Sequence, residues 1–275
     1  MTNIKVIEKK GKKPGNKVIL LAGVHGNELP GIKAFEELIP KMKIEFGKVT
    51  FIYANIESIK QNKRQINTNL NRCFFEKQPK DIAESLEGKT TREIMPYLGD
   101  AEFMLDIHAS PILESKPFII CRENLVDMAK IFDVDLIVTN FDPFEPGSTD
   151  FYMNNLNKPG FCLECGYLAD KSSIELAKKE ILNFLVYTGN ITGKLKTREN
   201  QKKLTLVSLY KNKNQPFNKS REFADFEKLT KNTLIGREGD KEIYRESGDI
   251  ILFLRDCKEI NKECFLVARE LEKKI

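Results

Sequence analysis

The sequence has few of the features that mark several large protein classes. It contains two histidines and no tryptophan among 275 residues, and its longest apolar runs are far shorter than the ~20 residues that span a bilayer. Its 40 acidic and 45 basic residues are interspersed, without the basic stripe typical of nucleic-acid binding. The segment MTNIKVIEKKGKK lacks the apolar core of a signal peptide. We therefore expect a cytoplasmic protein that binds neither nucleic acid nor membrane, with its six cysteines as thiols.

Short apolar runs alternate with helical patterns through the first two thirds of the chain. This alternation predicts an α/β fold with a mixed, mostly parallel sheet and helices on both faces. The expected strands are 17–23, 49–54, 101–107, 116–121, 136–139 and 160–165. The expected helices are 29–39, 80–98, 124–132 and 172–187. After about residue 188, short alternating runs between Gly, Asn and Lys predict a smaller β-rich domain, so we divide the chain into domains 1–188 and 189–275.

Both histidines lie where a predicted strand ends. His25 follows the first strand, in the segment GVHGNE, and Glu28 begins the next helix. His108 follows the strand at 101–107. Because the carboxyl ends of parallel strands share one edge, these three side chains can converge on one ion, and catalytic zinc takes such nitrogen and oxygen ligands. Asp106, on the same strand face as His108, can orient that imidazole, although each histidine alone could equally be a capping or core residue.

Two further segments contain polar residues that need an explanation. Glu164 lies in the otherwise apolar run FCLECG, where burial without a partner would raise its pKa. It can be a general base beside a metal-bound water or a member of a structural ion pair. The segment RQINTNLNR, from Arg64 to Arg72, is rich in donors suited to a carboxylate, although a solvated loop has the same composition.

Taken together and in order, these motifs resemble the succinylglutamate desuccinylase/aspartoacylase family, relatives of the zinc carboxypeptidases. The His-x-x-Glu, Asp-x-His and Glu-x-Gly motifs of the family resemble the sequences at 25–28, 106–108 and 164–166. Its Arg followed by Asp-Leu-Asn-Arg resembles Arg64 and then NLNR at 69–72. The β-rich C-terminal part of the chain also fits the second domain of the family.

The resemblance implies one zinc ion per chain, bound by His25, Glu28 and His108. It implies that Glu164 is the general base and acid and that Arg64 polarises the scissile carbonyl. The chemistry is coherent, because zinc lowers the pKa of its water toward ~7, so a carboxylate can take the proton at neutral pH.

The resemblance also implies substrate contacts, and the sequence departs from the family at two places. Asn71 and Arg72 would hold a substrate carboxylate, and Tyr244 could match a substrate-contacting tyrosine of the second domain. Asn69 replaces the family's Asp, which removes a charge that could orient a neighbouring Arg. The segment 148–159 has no Arg, whereas aspartoacylase uses one there for the side-chain carboxylate, which argues against N-acetylaspartate as substrate.

We therefore predict a zinc-dependent amidohydrolase that removes the acyl group from an N-acyl amino acid or a related small amide. The alternatives are a zinc carboxypeptidase acting on peptides and a noncatalytic metal-binding protein on the same scaffold. The expected partner is a small-molecule substrate, and the sequence leaves a homo-oligomer open.

Overall fold

A computed structural model describes residues 2–271 of the chain. Its strands form one sheet of eleven strands and a second sheet of three. The strands are, in chain order, β1 Lys5–Lys10, β2 Lys13–Ala22, β3 Phe46–Tyr53, β4 Phe103–Ser110, β5 Phe118–Ile120, β6 Leu136–Thr139, β7 Gly160–Tyr167, β8 Lys202–Lys211, β9 Phe217–Lys219, β10 Glu227–Lys228, β11 Thr233–Glu238, β12 Lys241–Arg245, β13 Ile250–Leu252 and β14 Glu263–Glu270. The α-helices are α1 Leu29–Leu38, α2 Ile56–Lys60, α3 Lys80–Glu84, α4 Leu86–Asp100, α5 Thr149–Asn155 and α6 Lys171–Tyr187.

Four neighbouring parallel strands, in the order β3-β2-β4-β7, form the part of the sheet that positions the candidate ligands. Because they are parallel, their carboxyl ends lie at one edge of the sheet, where α/β proteins bind ligands. The register pairs Ala22 with Ile107 and His108 with Glu164. The segment after β2 and the ends of β4 and β7 therefore meet in space.

Helices cover both faces of these strands. Successive side chains of a strand point to opposite faces, so the apolar residues of β2 must be buried on both sides of the sheet. Leu20 of β2 faces the layer formed by α1 and α6 and belongs to the same core cluster as Phe35 and Phe184. Ile19 faces α4 and belongs to a second cluster with Leu98. Burial on both faces explains the continuous apolar run in β2 and confirms the predicted mixed α/β sheet with helices on both sides.

The large sheet continues into the C-terminal part of the chain. β8 pairs in parallel with β6, and β14, β13 and β10 extend the sheet beyond it through antiparallel pairs. The smaller sheet consists of β12, β11 and β9. The C-terminal part is therefore β-rich, as predicted. The division into domains 1–188 and 189–275 stays a prediction, and the backbone hydrogen bonds of the main sheet cross it.

Two of the predicted helices differ from the structure, namely 80–98, which Ser85 divides into α3 and α4, and 124–132. Residues 124–132 form two short 3-10 helices rather than an α-helix. Their apolar residues Leu125, Met128 and Ile131 lie three apart, a spacing that fits the 3-10 period as well as the α-helical one. The segment 55–78, which includes the polar run from Arg64 to Arg72, contributes buried side chains to the core, among them Leu70 and Phe74.

Two other observations bear on the expectations from composition. All six cysteines are buried free thiols, as predicted. Within residues 2–271, no helix combines the length and the apolar character that crossing a membrane would require. The cytoplasmic location stays a prediction.

Candidate active site

Two glycines shape the loop that places His25 after β2. Gly23 has a positive φ of +71°, a conformation that side-chain-bearing residues rarely adopt. A Cβ on Gly26 would lie 2.2 Å from the backbone of Ser58, so only glycine fits there. The close approach of these segments leaves the His25 side chain 4% exposed, at the edge of the sheet where β4 and β7 end.

The Glu28 carboxylate is the centre of the site. Its Oε1 lies 2.7 Å from His25 Nδ1 and 2.9 Å from Arg64 Nη1. Its Oε2 lies 2.9 Å from His108 Nδ1 and accepts a hydrogen bond from the Ala109 backbone N–H at 3.1 Å. Burial works to raise the pKa of Glu28, but its contacts with the His25 and His108 imidazoles outweigh it and hold this pKa well below its usual range.

The other nitrogen of each imidazole is held by a separate partner. His25 Nε2 lies 2.9 Å from Asn69 Oδ1, and His108 Nε2 lies 2.9 Å from Asp106 Oδ2. Asp106 also accepts a hydrogen bond from the Thr149 hydroxyl at 2.6 Å. Such partners commonly orient metal-binding histidines, and here they turn both Nδ1 atoms toward Glu28.

The contact between His25 and Glu28 is the observation that fits a metal ion. The backbone N–H of Asn71 donates to Asn69 Oδ1 at 3.0 Å, which fixes this atom as an acceptor and puts the proton of His25 on Nε2. Burial and the charge of Arg64 lower the pKa of His25 to about 4, so the ring is neutral at pH 7. Two lone-pair atoms, His25 Nδ1 and Glu28 Oε1, then face each other at 2.7 Å. Arg64 neutralises part of the Glu28 charge, and a cation bound by both facing atoms would remove the remaining repulsion.

The donor set also suits zinc. The ligand atoms of His25, Glu28 and His108 all lie within 4.8 Å of one another, and all three residues are buried. Two imidazole nitrogens and one carboxylate oxygen are a ligand set of catalytic zinc sites, which keep a further position open. Although burial opposes it, the Asp106 carboxylate holds the pKa of His108 well above its ordinary value, so a metal ion competes there with a proton.

Glu164 lies beside this ligand set on β7, in register with His108. Its Oε2 is buried without a hydrogen-bond partner. Burial and the negative charge of Glu28 raise the pKa of Glu164 to about 8, and a bound dication would lower it. The Cys162 thiol lies on the same face, and ligand atoms of His108, Cys162 and Glu164 lie within 4.8 Å of one another.

A buried carboxylate organises the loop that carries Arg64 and Arg72. Glu87, on α4 and fully buried, accepts hydrogen bonds from the backbone N–H groups of Ile66, Asn67 and Thr68 at 2.7–3.2 Å. The loop is therefore a fixed part of the site rather than a solvated segment.

The structure brings Asn71 and Arg72 to the wall of the same cavity. Asn71 Oδ1 accepts a hydrogen bond from the Thr149 backbone N–H at 3.2 Å. Arg72 donates to the Asn71 carbonyl through Nη1 at 2.7 Å, and its Nη2 forms an ion pair with Glu145 at 2.6 Å. Arg72 therefore already has a carboxylate partner within the chain.

The cavity has a volume of about 280 Å³. Its walls include the three candidate ligands, Glu164, Arg64, Asn71 and Arg72. The C-terminal part of the chain supplies a further wall, formed by Leu209, Phe253, Arg255, Glu263, Phe265 and Leu266. This wall restricts the space to a small molecule.

Tyr244 is the one predicted site residue that the structure does not bring to the cavity. It lies on β12 in the smaller sheet, and its side chain is 46% exposed. Its hydroxyl donates to Glu242 at 2.9 Å, and it borders a separate surface depression with Arg245 and Asp249. The substrate contact expected of Tyr244 from the resemblance therefore has no support in the geometry.

Sequence reasoning also missed several residues of the site. The contact of Asn69 Oδ1 with His25 Nε2 was not expected from the sequence. Thr149, Glu145 and Glu263 reach the site from distant parts of the chain, and no local pattern marks them. Asp106, in contrast, contacts His108 as its strand position indicated.

Comparisons with known proteins agree with this geometry. The sequence model described as the succinylglutamate desuccinylase/aspartoacylase catalytic domain matches residues 14–187. A probable aspartoacylase of Trichodesmium erythraeum is 27% identical over 166 residues, which are 56% of this chain and 57% of the relative. The match thus spans little more than half the length of that relative. A succinylglutamate desuccinylase of Idiomarina loihiensis is 24% identical, over 90% of this chain and 81% of its own.

Solved structures show the same fold. A succinylglutamate desuccinylase from Vibrio parahaemolyticus superposes with a TM-score of 0.79 at 17% identity, over 97% of this chain and 86% of its own. The product-bound ectoine utilization protein EutE (DoeB) from Ruegeria pomeroyi gives 0.74 at 20% identity, over 97% and 88% of the respective chains. With the family model matching well over half of its residues, this chain belongs to the succinylglutamate desuccinylase/aspartoacylase family.

Proposed function

We propose that the protein is a zinc-dependent amidohydrolase that removes the acyl group from an N-acyl amino acid or a related small amide. The observation that carries this proposal is the pair of facing acceptors, His25 Nδ1 and Glu28 Oε1, with the unpartnered Glu164 carboxyl beside them. Family membership and the names of the relatives support the same reaction class.

The chain's own residues have distinct roles in this reaction. His25, Glu28 and His108 would hold zinc, the two histidines through the Nδ1 atoms that face Glu28. When bound, zinc supplies Lewis acidity, which lowers the pKa of water and stabilises negative charge on the scissile carbonyl oxygen. Glu164 accepts the proton of the attacking water and returns it to the leaving nitrogen, which completes the cleavage of the amide bond.

The remaining cationic and amide groups act on the substrate. Arg64 lies next to Glu28 with its side chain 40% exposed, so its guanidinium can polarise the carbonyl and stabilise the oxyanion. Asn71 and Arg72 line the cavity and bind the α-carboxylate of the substrate. The wall from the C-terminal part supports a small amide over a peptide, which favours deacylation over carboxypeptidase activity.

The test combines metal analysis with hydrolysis assays on purified protein. We expect about one zinc per chain and release of acetate or succinate from N-acetyl or N-succinyl amino acids. Glu164→Gln should retain zinc and lose activity by a factor of at least about 100, as expected for a general acid–base group. The matched control is Glu180→Gln, a buried glutamate on α6 that does not line the cavity.

Three results would contradict the proposal. Absence of bound metal in protein prepared with excess zinc would contradict the proposed zinc site. Full activity in Glu164→Gln would contradict the role of Glu164 as general base and acid. Cleavage of peptides without deacylation of N-acyl amino acids would favour the carboxypeptidase instead.

A further inference from the structure

The cavity contains a second group of charged side chains beyond the candidate zinc ligands. We call Glu145, Asp150 and Glu263 the acidic wall, since all three line the cavity. Besides Arg64, which contacts Glu28, two guanidinium groups line the cavity, those of Arg72 and Arg255. Away from the candidate ligands, the cavity is therefore lined by three carboxyl groups and two guanidinium groups.

The positive charge of Arg72 is partly compensated by carboxylates of the chain itself. Its Nη2 lies 2.6 Å from Glu145 Oε2, and the negative charges of Glu263 and Asp150 also act on it. Arg255 is exposed at the rim, where its Nε donates to the backbone carbonyl of Glu263 at 3.0 Å.

Glu145 and Glu263 lie close to each other in the acidic wall, and each affects the pKa of the other. Burial, together with the charge of Glu263, raises the pKa of Glu145 against the opposing effect of Arg72. Lys211 Nζ approaches Glu263 at 3.5 Å but does not line the cavity. A cation in the cavity would reduce the repulsion between these two carboxyl groups.

Asp150 is the third member of the acidic wall. Its side chain is almost completely buried and accepts a hydrogen bond from the Ser148 hydroxyl. Burial raises the pKa of Asp150 to about 6, and the charges of Asp142 and Asp106 act in the same direction. This carboxyl lies in the segment 148–159, which contains no arginine that could bind a second substrate carboxylate.

We propose that the acidic wall selects substrates with a protonated amine, so that the enzyme prefers N-acyl amino acids with a cationic side chain. This inference rests on the proposed deacylase function and names the substrate class for it. The α-carboxylate of the substrate would bind at Asn71 and Arg72. A side-chain ammonium would then donate its hydrogen bonds to the wall, and a second carboxylate would meet like charge in a partly desolvated space.

The test compares substrates of similar size that differ in side-chain charge. They are the Nα-acetyl and Nα-succinyl derivatives of lysine, norleucine and glutamate, assayed for kcat/KM with zinc-loaded protein. We expect the lysine derivative to exceed the norleucine derivative by at least about tenfold, the ratio that ~1.4 kcal/mol gives. The glutamate derivative should be the poorest substrate.

Variants of the wall test whether these carboxyls cause the preference. Glu263→Gln and Asp150→Asn should each reduce the lysine-to-norleucine ratio of kcat/KM to about threefold or less, by removing one carboxylate contact with the ammonium. Glu263 lies at a partly exposed position of β14, so we expect the Glu263→Gln variant to fold. Its circular dichroism spectrum and zinc content should therefore equal those of the unchanged protein. The control is Glu222→Gln, whose side chain is 87% exposed, and it should leave the ratio unchanged.

The outcomes separate the two proposals. Hydrolysis of all three derivatives with equal efficiency, or with glutamate preferred, would overturn the inference and leave the deacylase function standing. An unchanged ratio in both wall variants would also overturn it. Zinc-loaded protein that hydrolyses no derivative would overturn the proposed function, and the inference with it.

Discussion

Replacing Asn69 by alanine should weaken zinc binding by about 10- to 100-fold, the usual effect of removing a group that orients a metal-bound histidine. Asn69 Oδ1 lies 2.9 Å from His25 Nε2 and holds the ring with Nδ1 toward Glu28. A factor of 10 to 100 corresponds to about 1.4–2.7 kcal/mol, the range expected when a buried donor loses its acceptor.

Asn69→Asp tests the same contact by strengthening the acceptor for His25 Nε2 instead of removing it. A carboxylate accepts the Nε2 proton more strongly than an amide and makes the imidazole a better ligand, so we expect zinc affinity at least equal to that of the unchanged protein. Both affinities can be measured by competition with a chromophoric chelator at fixed pH and ionic strength.

The control for this prediction is Asn67→Ala. Asn67 is in the same loop, but its side chain accepts a hydrogen bond from Leu86 N at 3.0 Å instead of contacting His25. If Asn69→Ala and Asn67→Ala both bind zinc as tightly as the unchanged protein, His25 does not depend on Asn69 and the reasoning is wrong.

Three other predictions concern the ligands, the loop and stability. His108→Ala should abolish tight zinc binding in the same competition assay, since the chain has only two histidines and no third imidazole can substitute. Glu87→Ala should lower kcat/KM by at least about tenfold, because three backbone N–H groups of the loop lose their acceptor; rescue by Glu87→Gln would indicate that hydrogen bonding, not charge, is needed. Glu180→Gln should stabilise the fold by about 3 kcal/mol at pH 8 and by less than ~1 kcal/mol at pH 5, measured by urea unfolding.

The pH dependence of the Glu180 effect follows from its raised pKa. Burial raises the pKa of Glu180 in the folded protein from its ordinary value of 4.5 to about 7. Between these two values the folded state binds more protons, so rising pH costs stability in this window, and the full cost is present above pH 7. Glutamine carries no such cost. A pH-independent difference between the two proteins would show that Glu180 does not titrate as described.

The fold and the region of the site could be predicted from local patterns. The apolar run of β2 and the alternation of strands with helices indicated a mostly parallel sheet, and the carboxyl ends of parallel strands share one edge. Two histidines at such ends, one followed by Glu28, were therefore close to each other by topology alone. The order of the motifs added the family resemblance, which the match over residues 14–187 confirms.

Local patterns could not assign the partners of these residues. Asn69 contacts His25 across 44 positions of sequence, and Thr149 contacts Asp106 across 43. Tyr244 could match a family tyrosine only by residue type and approximate position, and the structure places it on β12 of the smaller sheet, outside the cavity wall.

The sequence by itself determined where imidazole ligands for a metal can lie, because the chain has two histidines and both follow predicted parallel strands, whose carboxyl ends share one edge. The tertiary structure alone decided that both Nδ1 atoms face Glu28, and that Glu145 and Glu263 meet beside Arg72. The orientation of each ring and the balance of charge depend on atoms that distant segments bring together by packing. Periodicity in the sequence indicates only which face of a helix or strand a side chain occupies.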